Sequence, residues 1–274
     1  MPTQLEKGRT FQALHERSAA FIIPNPWDIG SAQILEYMGF EALATTSMGY
    51  AFSLGKLDTT VARDEMLAHV AAIAGATSLP VNADLENGYG DDPRTVAETI
   101  RLAAAAGVVG GSIEDDTGRP GDPIYAIDAA VARVRAAVAA ARALPFPFTL
   151  TARSENYLHG RPDLDDTITR LRAFEEAGAD VLYAPGLRSK DDIATVVKSV
   201  QRPVNVLMGL QGVLLSAAEL SAIGARRISV GSALYRTAMG AFLRAAHEMR
   251  ERGTFEFAAD AANPRDLSRI FGKA

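Results

Sequence analysis

Eight short apolar segments of strand-like composition recur along this chain, and longer Ala- and Leu-rich segments separate them. The short segments cover residues 20–25, 42–45, 80–86, 108–115, 146–153, 180–185, 203–208 and 226–232. The long segments, such as 95–107 and 128–144, carry apolar residues at helical spacing. Strands that alternate with helices are typical of a parallel sheet. Eight such units in 274 residues favour an α/β fold, a closed (β/α)8 TIM barrel that forms a single domain over residues 1–274.

Composition excludes several classes of protein. The chain has no cysteine, which rules out disulfides, thiolate metal ligands and a cysteine nucleophile. Its net charge of −5 comes from interspersed acidic and basic residues, with no basic stripe for nucleic acid or an anionic membrane. No apolar run approaches the roughly 18–20 residues that a membrane span needs. We therefore expect a cytoplasmic protein whose partner is a small-molecule substrate, with no nucleic-acid or membrane partner.

Carboxylates follow the third and fourth predicted strands, at the point where each strand ends. Asp84 and Glu86 close the segment 80–86, and Glu114 lies near the end of the segment 108–115. Because chemistry in a parallel barrel is found at the carboxyl ends of the strands, these side chains should share a small region. Like charges held close together raise one another's pKa, and a divalent cation relieves that repulsion. Oxygen ligands without cysteine indicate a hard ion, Mg²⁺ or Mn²⁺.

Groups suited to an anionic ligand follow other strands at the same predicted rim. Arg153 ends the fifth segment, Thr46 and Ser47 follow the second, and Asn205 lies on the seventh. A guanidinium can hold a carboxylate through two parallel hydrogen bonds. The pattern predicts a small 2-oxo acid that chelates the metal on one side and is clamped by Arg153 on the other. The metal would then act as a Lewis acid that stabilises enolate charge.

These residues also have purely structural interpretations. Asp84 and Glu86 could form a salt-bridge network with Arg153 across the barrel mouth, because structural ion pairs also occur in such places. Thr46 and Ser47 could simply cap the helix that follows them. Asn205 could equally satisfy backbone groups.

The remaining polar residues are expected to be peripheral. Asp115 and Asp116 are predicted to be solvated loop charges or helix caps. The four histidines are predicted to be surface residues, although one of them lies in a loop that could fold over the mouth: His15, His69, His247 and, in that loop, His159. Gly231 and Ser232 precede a helix and could bind phosphate, which leaves a flavin or phosphosugar enzyme open on fold grounds alone.

Seven motifs resemble those of the isocitrate lyase / phosphoenolpyruvate mutase superfamily. They occur in the family's order over nearly all of the chain: PNPWDIGSA (24–32), ATTSMGYAFSLGKLD (44–58), ADLENGYGD (83–91), GSIEDD (111–116), LTARSENY (150–157), GADVLY (178–183) and ISVGSALYR (228–236). The resemblance implies a (β/α)8 barrel, Mg²⁺, an oxo-acid or enolate centre, and cleavage or formation of C–C or P–C bonds. It also implies a homo-oligomer, a dimer or a tetramer, in which subunits exchange the last barrel helix.

The resemblance implies a role for several individual residues. The family's metal-binding carboxylates fall on Asp84, Glu86 and Glu114, with Asp58 as an outer-shell acid. The family's motif arginine falls on Arg153. Arg153, Asp58 and Glu114 are thus the predicted catalytic residues.

The predicted substrate-binding residues surround the same point. The family's loop for the substrate carboxylate falls on Thr46, Ser47 and Met48. Arg153 and Asn205 complete this predicted set.

One loop departs from the known branches of the family. The lyase branches carry a Lys-x-Cys-Gly-His loop after strand 4, and the mutase and phosphonopyruvate hydrolase branches carry a Lys- and Asn-bearing gating loop. This chain has EDDTGRPGDPIYAID (114–128) there, without Cys, Lys or Asn. We therefore expect an outlying branch: a Mg²⁺-dependent lyase that cleaves or decarboxylates a small 2-oxo acid or related dicarboxylate, such as oxaloacetate, through a metal-stabilised enolate. The alternatives are a P–C bond enzyme of the mutase or hydrolase type and a non-catalytic oxo-acid-binding barrel.

Overall fold

Eight parallel strands form one sheet in the computed structural model, which describes residues 1–209 and 212–272. The strands are β1 (Phe21–Ile23), β2 (Leu43–Ala44), β3 (Val81–Asp84), β4 (Gly110–Glu114), β5 (Thr149–Arg153), β6 (Val181–Tyr183), β7 (Val204–Leu207) and β8 (Arg227–Ser229). Their order is β1-β8-β7-β6-β5-β4-β3-β2, so the last strand returns to the first. At the β1–β2 seam the Ala44 amide donates to the Pro24 carbonyl at 3.1 Å, which leaves a nearly closed barrel. The predicted TIM barrel is confirmed, and each predicted segment contains a strand.

Helices alternate with the strands and surround the sheet. They are α1 (Gln4–Glu16), α2 (Ile29–Tyr37), α3 (Ser47–Ser53), α4 (Arg63–Gly75), α5 (Pro93–Ala105), α6 (Ile127–Arg142), α7 (Leu164–Glu176), α8 (Lys190–Ser199), α9 (Ala217–Ile223), α10 (Ala233–Arg252) and α11 (Pro264–Phe271). Gly107 and Gly178 follow α5 and α7 with φ of 98° and 101°, a backbone region that glycine enters without steric cost. Within the two described ranges, no helix has the length and apolar character that a membrane crossing requires.

Strand residues divide between a helix-facing side and an interior side, as the two-residue period of a strand requires. The helix-facing side chains include Ala83, Ile113, Leu150, Leu182 and Ile228, and they belong to one core with the inner faces of the helices. At the amino-terminal end of the barrel, Phe11 and Leu14 of α1 are fully buried beside β1. Burial of each such side chain stabilises the folded state by about 1.5–3 kcal/mol. Helix α1 therefore packs against the amino-terminal end of the barrel, opposite the carboxyl ends of the strands.

Helix α10 differs from the other barrel helices in its burial. It is 20 residues long, yet its one buried side chain is Glu248. Phe242 and Leu243 are 62% and 55% exposed. A single chain does not test the predicted exchange of the last helix between subunits, which remains a prediction.

Candidate active site

One cavity of about 650 Å³ opens at the carboxyl ends of the strands. Every predicted metal, catalytic and substrate residue lines it: Thr46, Ser47, Met48, Asp58, Asp84, Glu86, Glu114, Arg153 and Asn205. The strand register explains this convergence, because Asp84 pairs with Ser112 and Glu114 pairs with Arg153 on adjacent strands. The predicted residues therefore do form one site.

The loop between β2 and α3 is fixed to the end of β3. Thr46 caps α3 by accepting a hydrogen bond from the Gly49 amide at 3.2 Å, so its predicted capping role is present. The amide and hydroxyl of Ser47 both donate to Asp84 Oδ2, at 3.1 and 2.9 Å. The Ser232 hydroxyl lies 3.1 Å from Met48 Sδ. These contacts hold the predicted substrate-carboxylate loop against the predicted metal ligand.

Arg153 is the centre of the charged cluster. Its Nη1 lies 2.9 Å from Asp84 Oδ1 and 3.0 Å from Glu114 Oε2, and its Nε donates to Glu155 Oε1 at 2.8 Å. The guanidinium carbon also lies 5.1 Å from the centre of the Tyr183 ring. Burial opposes the charge on Arg153, but the carboxylates of Glu114, Glu155 and Asp84 hold its pKa well above the usual value. The salt-bridge alternative is thus present for Asp84, but not for Glu86.

Glu86 lies just past β3 in a strained backbone conformation. Its φ is 49°, in the left-handed region that residues with a side chain rarely occupy. The side chain is buried, and its Oε1 has no hydrogen-bond partner. Burial, and then the neighbouring charges of Asp84 and Asp58, raise the pKa of Glu86 to about 8. The Glu86 carboxyl is thus buried and has an oxygen without a partner, and the backbone that carries it is strained. A bound cation would stabilise this arrangement.

Three further carboxyls around the cluster also have raised pKa values. Burial and the Asp84 charge raise the pKa of Asp58 to about 6. Burial raises the pKa of Glu114 well above its ordinary value, although the Arg153 charge opposes this, and it also raises the pKa of Glu155. The cavity wall therefore holds more carboxyl groups than Arg153 alone can keep ionised.

The chemistry of these side chains suits a hard divalent ion, because all of the candidate donors are carboxylate oxygens. In residues 1–209 and 212–272, however, no three acidic or histidine side chains stand close enough to one point to hold an ion. Arg153 Nη1 lies within 3.0 Å of both Asp84 and Glu114 and shares their oxygens. The unpartnered oxygen of Glu86 favours a cation. Metal binding by Asp84, Glu86 and Glu114 remains a prediction.

Two acidic residues after β4 are more involved than the sequence indicated. Asp115 was expected to be a solvated loop charge or a helix cap, and that expectation is wrong. It is 2% exposed, it accepts from the Glu155 amide at 2.8 Å, and it lies 3.2 Å from Arg170. Asp116 lines the cavity and lies 3.2 Å from His159 Nε2. The contact between Asp116 and His159 joins the loop after β4 to the loop after β5, and it could not be predicted from the sequence alone.

The histidine prediction fails at two positions. His15 and His69 are both buried, at 8% exposure. His15 packs edge-on against Phe11 and Phe21, and burial lowers its pKa to about 3. His159 is half-buried and lines the cavity mouth, as its loop position allowed.

Asn205 lines the cavity, but both ends of its amide are engaged. Its Nδ2 donates to Ser229 Oγ at 2.9 Å, and its Oδ1 accepts from Arg227 Nε at 3.0 Å. The partners are side chains rather than the backbone groups considered as an alternative. A direct contact of Asn205 with substrate remains a prediction.

Comparison with known proteins places this barrel in a family. The sequence model of the phosphoenolpyruvate phosphomutase family matches residues 11–250, a range that contains every strand. The chain belongs to the isocitrate lyase / phosphoenolpyruvate mutase superfamily. The resemblance read from the seven motifs is thereby confirmed.

Members of this superfamily are similar to the chain over most of its length. An oxaloacetate decarboxylase of Paraburkholderia xenovorans (strain LB400) is 30% identical over 248 residues, which are 88% of this chain and 80% of that protein. A crystal structure from Burkholderia cenocepacia J2315 is 65% identical, with a TM-score of 0.96 over 98% of this chain and 96% of the other. The structure of oxaloacetate acetylhydrolase with its product oxalate is 28% identical, with a TM-score of 0.86 over 97% of this chain and 94% of the other.

Proposed function

We propose that the chain is a Mg²⁺-dependent lyase that acts on a small 2-oxo acid or related dicarboxylate of the oxaloacetate type. The observation that carries the proposal is the convergence of Asp84, Glu86, Glu114 and Arg153 on one cavity. Carboxylates suit a hard divalent ion, and a guanidinium suits the carboxylate of a substrate. The names of two superfamily relatives, an oxaloacetate decarboxylase and an oxaloacetate acetylhydrolase, support the choice of substrate.

Each group of residues in the cavity would have a distinct role in this reaction. Asp84, Glu86 and Glu114 would hold the ion, which supplies Lewis-acid stabilisation of the charge on an enolate oxygen. Arg153 would bind and orient the substrate carboxylate, and the loop at Thr46–Met48 would form the wall beside it. The loop after β4 contributes Gly118, Arg119, Pro120 and Pro123 to the cavity lining, where it limits access of water.

A P–C bond enzyme is the second candidate. The description of the matching family model, phosphoenolpyruvate phosphomutase, favours it. The loop 114–128 carries neither the Lys nor the Asn of the mutase and hydrolase branches, which counts against this candidate. It also lacks the Lys-x-Cys-Gly-His motif of the lyase branches, so the preference for the lyase rests on the names of the oxaloacetate-type relatives. A non-catalytic oxo-acid-binding barrel is the third candidate.

A substrate panel separates these candidates. We expect Mg²⁺-dependent release of pyruvate or of oxalate and acetate from oxaloacetate, inhibition by oxalate, and no turnover of phosphonopyruvate. Turnover of phosphonopyruvate alone would support the P–C enzyme. Mg²⁺-dependent oxalate binding without turnover of any panel member would support the binding protein.

Asp84→Asn tests the metal assignment within the same assay. Because the amide lacks the charge of the carboxylate, the apparent affinity for Mg²⁺ should fall by about 100-fold or more. Asp64→Asn is the matched control, since the Asp64 side chain is 89% exposed on α4. Unchanged Mg²⁺ dependence in Asp84→Asn would contradict the assignment.

The predicted homo-oligomer, a dimer or a tetramer, would be built through α10. Its exposed Phe242 and Leu243 form an apolar patch that a second subunit could cover. Changing both to Asp should convert the oligomer to a monomer in light scattering, because two charges would enter the interface. Met38→Asp, at a side chain that is 67% exposed at the end of α2, should leave the mass unchanged. A monomeric parent protein would contradict the proposal.

A further inference from the structure

The interior of this barrel is polar at the level below the carboxylates. A TIM barrel interior is normally filled by bulky branched side chains such as Val, Ile and Leu. Here six inward-facing strand side chains are polar and buried: Asn82, Ser112, Thr151, Asn205, Arg227 and Ser229. Val181 and Ile23, which pair with two of them, are apolar. They alternate with the helix-facing apolar residues of the same strands, such as Ala83 and Ile113. A polar layer in this position needs either internal partners or a ligand.

Arg227 is the charged member of this layer, and its partners are neutral. Nε donates to Asn205 Oδ1 at 3.0 Å, and Nη2 donates to Thr151 Oγ1 at 2.9 Å. Nη1 is buried and has no hydrogen-bond partner. Within residues 1–209 and 212–272, no acidic side chain forms an ion pair with this guanidinium, which is 3% exposed and lines the cavity.

Two other buried arginines of this chain are paired with carboxylates. Arg153 contacts three carboxylates, and Arg170 pairs with Asp115 and Asp166. Arg133 also has one buried nitrogen without a partner, Nε, but its two Nη atoms donate to three backbone carbonyls. Arg227 differs from all three because its described partners, Asn205 and Thr151, are neutral side chains that number only two. Burial accordingly lowers its pKa to about 9. An isolated buried charge is strongly unfavourable unless something of the opposite sign reaches it.

We propose that Arg227 is the cationic floor of an anion subsite inside the barrel, which accepts one carboxylate-sized anionic group. Thr151 and Asn205 position the guanidinium and leave Nη1 free to donate to that group. The cavity that Arg227 lines is also lined by Arg153. A dicarboxylate can therefore place one carboxylate against Arg153 and the other against Arg227. The choice of a carboxylate ligand rests on the proposed function, whereas the subsite itself does not. A resident inorganic anion has the same chemistry.

Anion binding in the absence of metal and turnover tests the subsite. The full chain is freed of metal on a chelating resin and placed in a Hepes–Tris buffer without small anions. Dissociation constants for malonate, acetate and chloride are measured by calorimetry and by the shift in Tm. Arg227→Met should raise the Kd for malonate on the order of 30-fold or more, because one partner of a buried charge pair is lost. Arg227→Lys, which keeps the charge, should retain part of the affinity.

Arg226→Met is the matched control. Arg226 precedes Arg227 and carries the same charge, but its Nη1 donates to the carbonyls of Gly224 and Ala225. Its substitution should leave all three constants unchanged. The two variants therefore separate a specific loss at Arg227 from a general loss of positive charge.

The outcomes distinguish the two sources of the anion. Binding of malonate well above acetate and chloride, lost in Arg227→Met, upholds the subsite with a ligand carboxylate. If chloride stabilises the protein as much as malonate does, and only when Arg227 is present, the subsite is upheld and its occupant is an inorganic anion. Equal affinity in Arg227→Met and the parent, or no anion binding by the parent, overturns it. If Arg227→Met does not fold, the anion dissociation constants of the parent protein and of Arg227→Lys are compared instead. Because metal and turnover are absent, a failed lyase assay leaves this result standing.

Discussion

Replacing Arg153 with Met is expected to lower the free energy of unfolding by about 3–5 kcal/mol near neutral pH, because it leaves buried carboxylates without their cation. Three carboxylates lie within 3.0 Å of this guanidinium, and none of them gains another basic partner from the change. Arg153→Lys should cost less stability, since a charge remains. It should still weaken oxalate binding sharply, because an ammonium cannot form the paired hydrogen bonds of a guanidinium.

Chemical denaturation at pH 7 measures the effect on stability, and the pH dependence identifies its cause. At lower pH the carboxyls of Glu114 and Glu155 take up protons, so the loss in Arg153→Met should shrink. Arg17→Met is the matched control, because Arg17 and Glu41 form an ion pair that is about half exposed, and exposed ion pairs contribute little to stability. If Arg153→Met loses no more unfolding free energy than Arg17→Met, the ion pairs of Arg153 do not stabilise the cluster.

The barrel could be predicted because its signal is repeated and local. Each strand is a short apolar run, and glycines such as Gly107 and Gly178 mark the turns that separate helices from strands. The ends of elements were less predictable. The segment 80–86 was expected to be one strand, but β3 ends at Asp84, because Glu86 takes a positive φ that a strand cannot contain.

Membership of the site could also be predicted, because parallel strands bring their carboxyl ends to one rim. The partners within the site could not be predicted, because they depend on register between distant segments. Asp115 is buried by Arg170, which lies 55 positions later on α7. Arg227 begins β8 and would pass for an ordinary strand residue, yet its contact with Thr151 crosses the barrel. Neither contact leaves a pattern in the local sequence.

Glu86 is expected to lower the stability of the metal-free protein as the pH rises from 5 to 8. The folded-state pKa of Glu86 is about 8, against 4.5 for the ordinary group. Below the lower value both states are protonated, so the protonated carboxyl contributes its full stability there. Between the two values the unfolded state releases the proton and the folded state keeps it, so stability falls as the pH rises. At about 1.36 kcal/mol per pH unit, the loss amounts to on the order of 4 kcal/mol.

Glu86→Gln isolates this group, because a neutral amide of the same shape cannot titrate. Unfolding free energies at pH 5, 6, 7 and 8 should fall less steeply in the variant than in the parent, because the contributions of the other buried groups, among them Asp58, Glu114, Glu155 and His15, are common to both proteins. Glu98→Gln, at an exposed position on α5, should keep the parent slope. Saturating Mg²⁺ should flatten the parent curve, because a cation favours the ionised carboxylate. A parent slope that survives in Glu86→Gln would show that the proton resides elsewhere, and a slope indifferent to Mg²⁺ would remove Glu86 from the metal site.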